Sequence, residues 1–133
     1  MRAFGFGWIW LTLGWLLILV VVFLSLWPEP PQPSEFEQSD KFAHVIAYLT
    51  LMLWFANIYP LSSQRLLLCV AFIAMGILLE FLQNMSEYRT FSYVDMIADA
   101  FGVLLGLLLA KTPLSTYLFR LDNWLVRLSA KST

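Results

Sequence analysis

Residues 8–27 read WIWLTLGWLLILVVVFLSLW, twenty residues without a charge. A hydrocarbon core about 30 Å thick is crossed by about 20 apolar residues in helical form. A secretory signal has a shorter apolar core followed by a small-residue cleavage site. Here the run ends in Ser25-Leu26-Trp27-Pro28-Glu29-Pro30, which predicts a retained anchor. Three more runs follow. Phe42–Tyr59 carries only His44, Leu66–Gln83 only Glu80, and Tyr93–Ala110 only Asp95 and Asp99. Four transmembrane helices are expected.

Composition agrees with that reading. Of 133 residues, 60% are apolar and 13% charged, against roughly 45–50% and 25% in ordinary globular domains. A small soluble fold has too much surface to hide such a chain. This excludes a cytosolic enzyme or a disordered regulator. A net charge of −1 leaves no basic patch for nucleic acid. Cys69, the single cysteine, cannot form an intrachain disulfide and is expected to be inert packing.

Lys and Arg concentrate on the cytoplasmic side of membrane proteins. With the N-terminus inside, that side holds Arg2, Arg65, Lys111, Arg120, Arg127 and Lys131, and the other holds Lys41 and Arg89. Both termini are therefore expected in the cytoplasm. Pro28–Asp40 is then a proline-rich, acidic outer loop. Beyond the fourth span, Thr112-Pro113 reads as an N-cap with proline at the first helical position. Leu114, Tyr117, Leu118, Leu121, Trp124, Leu125 and Leu128 recur at three and four residues, with Arg120, Asp122, Asn123, Arg127 and Lys131 largely opposite. A basic amphipathic helix over about 114–130 is expected on the inner leaflet. The fold class is thus all-α: an integral membrane four-helix bundle with a C-terminal interfacial helix, one domain over 1–133. Trp10, Trp15 and Trp27 are expected to be lipid-facing or interfacial anchors.

Ionisable side chains inside a membrane cost free energy and mark functional candidates. Asp40, His44 and Tyr48 share one helix face, with Lys41 beside them. Gly76, Glu80, Gln83 and Glu87 form a stripe on the third span; Asp95, Asp99, Gly102 and Gly106 form one on the fourth. At about 1.5 Å per residue, His44, Glu80 and Asp95 all fall in the outer third of the membrane. The inner halves of these spans carry no charge. A polar cavity open to the outer face is expected, with the glycines serving helix packing.

Each group admits a plainer role. His44 suits a general base, a proton shuttle, a metal ligand, or a structural bond to a carboxylate. Glu80 suits a general acid or base, or a structural pair with Lys41 or Arg89. Arg89 suits a lipid phosphate or a carboxylate, or a surface pair with Glu87. Asp40, Glu80, Asp95 and Asp99 supply donors for a divalent cation, but no spacing matches a recognised metal motif and no metal is assigned. The residues name no cofactor.

The segments SDKFAHVIAYLTL (39–51), GILLEFLQ (76–83) and RTFSYVDMIADAFGVLLG (89–106) together resemble the VanZ-like family of bacterial membrane proteins. The resemblance covers roughly residues 39–110. It implies a multi-pass protein of the bacterial cytoplasmic membrane, linked to the cell envelope. Some members are associated with resistance to the glycopeptide teicoplanin. The family often has Asn where this chain has Asp99, so this chain has one more acid there.

The expected partner is a membrane lipid or lipid-linked substrate at the outer leaflet. Lys41 and Arg89 would hold its head group, with Tyr48, Gln83 and Asp99 lining the site. His44, oriented by Asp40 or Asp95, would move a proton, with Glu80 as acid or base counterpart. A second expectation is a non-catalytic protein that binds a lipid or glycopeptide. Proton or cation movement is a third, opposed by the apolar inner halves.

Overall fold

A computed structural model describes residues 1–28, 39–86 and 91–131. The described residues form five α-helices and no strand: α1 (Gly7–Leu26), α2 (Ser39–Ile58), α3 (Ser62–Met85), α4 (Tyr93–Leu109) and α5 (Tyr117–Lys131). A single 3₁₀ turn, Pro113–Thr116, links α4 to α5. The helices α1, α2 and α3 are each long and apolar enough to cross a membrane. The helix α4 and the segment 113–131, which bend by 78° at their junction, are long and apolar enough only when counted together.

The helix α2 is the centre of the molecule. Tyr48, Leu51, Met52, Phe55, Ala56, Asn57 and Ile58 are all buried on it, and Tyr48, Leu51, Met52 and Phe55 share one core with Cys69, Phe72 and Val103. By contrast α1 buries only Trp10 and Gly14. Its Trp8, Leu19 and Phe23 face outward, as suits a helix whose surroundings are apolar. Cys69 is buried in the core, consistent with packing.

The helices α2 and α4 run parallel and close together. His44 meets Asp99, and deeper in the pair a Cβ added at Gly102 would collide with the Val45 carbonyl. One turn on, a Cβ at Gly106 would lie 2.8 Å from the Leu49 carbonyl oxygen and 2.8 Å from Met52 Cβ. Without side chains there, the two backbones approach as small residues allow in membrane helices. The Gly-x-x-x-Gly stripe therefore makes a contact within the chain.

The far end is closed by polar side chains acting on helix termini, whose last carbonyls lack partners within the helix. Arg65 donates to the carbonyls of Ala110 (2.8 Å), Ala56 (3.0 Å) and Tyr59 (3.3 Å). Asn57 accepts the Leu118 N–H at 3.1 Å and donates to the Leu53 carbonyl. Asp122, fully buried, accepts from Gly5 N–H (2.7 Å), Phe6 N–H (2.9 Å) and Trp10 Nε1 (2.8 Å). Burial raises the Asp122 carboxyl, but the bonds from Trp10, Phe6 and Gly5 outweigh it and hold it below the usual carboxylate range.

Two expectations are corrected here. Trp10 is not a lipid-facing anchor: it is buried against Ile58 and Leu118, with its indole N–H on Asp122. Asp122 does not belong to a solvated face. It points inward with Leu118, while Tyr117, Trp124 and Leu128 are exposed. Part of the apolar stripe of α5, namely Leu118, Leu121 and Leu125, packs on the protein's own Trp10 and Ile58.

Candidate functional site

The helices α2 and α4 both begin at the end opposite the Asp122 network, where α1 and α3 finish. The Gln83 side chain, on the last turns of α3, donates to the Ser25 carbonyl near the end of α1. Two combs of polar residues at four-residue spacing, Asp40–His44–Tyr48 and Asp95–Asp99, thus come into register across the α2–α4 contact. Parallel orientation follows from both helices entering from one side.

His44 Nδ1 lies 2.8 Å from Asp99 Oδ1. Its Nε2 turns toward Asp40, 3.9 Å from Oδ1. Asp99 is 4% exposed, so its bond to the imidazole forms where water competes little. This corrects the expectation that Asp40 or Asp95 orients His44: Asp99, read from sequence as a lining residue, makes the close bond. Asp95 is buried and instead pairs directly with Lys41, which also lies 3.7 Å from Asp40. The Lys41 ammonium is thus engaged by two carboxylates within the cluster.

Glu80 is 2% exposed and accepts the backbone N–H of Ser92. The Ser92 hydroxyl in turn caps α4 by accepting from Asp95 N–H at 3.2 Å. Glu80 therefore ties the end of α3 to the start of α4. Gly76, one turn earlier on α3, lies against the Asp99 side chain. Tyr48 is 1% exposed and its hydroxyl has no hydrogen-bond partner among the described residues. Arg89 and Glu87 lie outside the described residues.

Three of these groups could together hold a metal ion. One ligand atom each from Asp40, His44 and Asp95 fall within 4.8 Å of one another. Sequence spacing could not reveal this set, because its members are split between two helices more than fifty residues apart. Arg65, Asn57 and Asp122 were also missed as polar determinants. Only Asn57 carried a signal, as a polar residue within an otherwise apolar run. An open apolar groove lined by Leu109, Pro113, Leu114 and Tyr117 lies at the other end, away from the cluster.

No family model matches the chain, and no solved structure does. An uncharacterized protein of Schizosaccharomyces pombe is 33% identical over 98 residues, which make up 70% of this chain and 57% of that protein. The chain thus spans little more than half the length of that relative, and a relative in a fungus argues against a family confined to bacteria.

Proposed function

We propose that this chain is a four-helix membrane protein, VanZ-like in its motifs, whose polar cluster acts on the head group of a lipid or lipid-linked molecule. In this reading α4 spans, α5 lies along the membrane surface beside both termini, and the cluster faces the opposite side of the membrane. The membrane need not be bacterial, since a relative occurs in a fungus.

The supporting observation is the height of the cluster on the helices. His44 and the acids that surround it sit in the first turns of α2 and α4. Phe42, Ile46, Val94 and Ile97, at the same level, turn apolar faces outward. An amphiphile can therefore bring its head group to the cluster while its tails stay in hydrocarbon. Asp99 holds one imidazole nitrogen, which fixes the ring and leaves Nε2 to take up or deliver a proton. Lys41 attracts a head-group phosphate or carboxylate once it leaves Asp95. Glu80 keeps the start of α4 in place.

The test is reconstitution of the full chain into vesicles of a total membrane lipid extract, followed by mass spectrometry of the lipids over time. The wild type is expected to convert a lipid class that His44→Ala leaves unchanged, while both retain it on purification. Retention without conversion by either protein would move the reading to a non-catalytic lipid binder. Neither retention nor conversion would end it.

A further inference from the structure

We infer that Asp40, His44 and Asp95 form a binding site for one divalent cation of the zinc or manganese type. The inference rests on the cluster being the functional site proposed above, but not on the identity of any lipid, nor on Nε2 moving the proton, since a metal-bound Nε2 carries none. One imidazole nitrogen and two carboxylate oxygens are a mixed N/O donor set that suits such ions better than magnesium or calcium, which prefer oxygen alone.

The geometry goes beyond a gathering of acids. A ligating histidine almost always gives its other ring N–H to a carboxylate or carbonyl, which fixes the tautomer and turns the ring. Asp99, buried and 2.8 Å from Nδ1, stands in that position, and Nε2 faces Asp40. Bonds of about 2.0–2.2 Å would place ligand atoms roughly 3.3 Å apart around a tetrahedral ion. The present 3.9 Å between Nε2 and Asp40 Oδ1, in a set whose ligand atoms lie within 4.8 Å of one another, would have to close on the ion.

A second observation concerns a buried hydroxyl. The Tyr48 hydroxyl is buried one helical turn below His44, on the same face, and has no partner among the described residues. It lies within electrostatic reach of Asp99. A buried hydroxyl left unpaired costs free energy, and a polar guest in the cluster, such as water carried by the ion, would supply what it lacks. Among the described residues, Lys41 pairs with Asp40 and Asp95, and the imidazole with Asp99 and Asp40. In this state the Lys41 ammonium takes the cation's electrostatic place on Asp95. Lys41 is more than a third exposed along its side chain and can withdraw.

The experiment uses the full chain in detergent, stripped with a chelator, titrated with Zn²⁺ by calorimetry and with Mn²⁺ by loss of the free-ion paramagnetic signal, without added lipid. One saturable ion per chain is expected. His44→Ala and Asp40→Asn should abolish saturable binding, and Asp99→Asn should weaken it about 10–100-fold. Lys41→Met should tighten it about tenfold by removing the competing ammonium. Tyr48→Phe should leave the metal-free protein at least as stable while shrinking the rise in Tm on adding metal. A wild type that melts cooperatively yet binds no saturable ion overturns the site, as does binding unchanged in both His44→Ala and Asp40→Asn. If lipid conversion persists in that metal-free wild type, the lipid reading stands without the ion.

Discussion

His44 on α2 and Asp99 on α4 are joined at 2.8 Å, although 55 residues separate them in the chain. The bond fixes the ring of the protein's single histidine. Asp99→Ala should therefore free the imidazole. The expected result is at least a threefold faster reaction with diethylpyrocarbonate, followed at 240 nm, where one histidine gives one signal.

The α2–α4 backbone contact makes a second prediction. Gly102→Ala places a methyl group against the Val45 carbonyl, and Gly106→Ala places one against Leu49 and Met52. Backbone cannot rotate away as a side chain can. Each change should cost about 1–3 kcal/mol and lower the Tm in detergent, with the double variant worse than either.

At the other end, Asp122→Asn turns an acceptor of three bonds into a side chain with one acceptor oxygen. At least one N–H among Gly5, Phe6 and Trp10 is left unpaired. A loss of about 1–3 kcal/mol is expected, with faster hydrogen exchange at Gly5 and Phe6. The pH dependence has a definite sign. The folded carboxyl titrates below its unfolded value of about 3.9. Its contribution is therefore full above pH 4–5 and fades as pH falls through the folded value. The Tm gap between wild type and Asp122→Asn should narrow on acidification below about pH 4.

Arg65→Leu should strip donors from the carbonyls of Ala56, Tyr59 and Ala110 together. A drop of about 2–3 kcal/mol is expected, read as a lower midpoint in denaturant. Arg65→Lys should recover part of it, since an ammonium lacks the planar fork.

Topology is open to direct labelling. With Cys69 replaced by serine, cysteine at Pro28 and cysteine at Lys131 should react with an impermeant maleimide from opposite sides of sealed vesicles. Reaction of both from one side would remove the four-span arrangement.

Much of this was legible before any coordinates. The apolar runs located the helices to within a few residues, because a bilayer-length stretch admits little else. The largest shifts are at helix starts: α2 begins at Ser39 and α3 at Ser62, ahead of the expected Phe42 and Leu66. Hydropathy undercounts polar first turns. The four-residue combs were visible, and so was their common end. Their pairing was not, because Asp95 and Asp99 look alike in sequence. Only the parallel register puts Asp99 on the imidazole and gives Asp95 to Lys41. The inward turn of Asp122 was equally hidden, since a helical wheel places a residue without saying which side meets the N-terminal segment.

The parallel pairing of α2 with α4 has a consequence for synthesis. The imidazole leaves the ribosome well before its carboxylate, separated by the whole of α3. At about 5–20 residues per second, this interval lasts roughly three to ten seconds. During it, half of the cluster waits without its complement. Assembly is therefore gated by the arrival of α4, and chains truncated after Met85 should be surveillance substrates rather than partly working proteins.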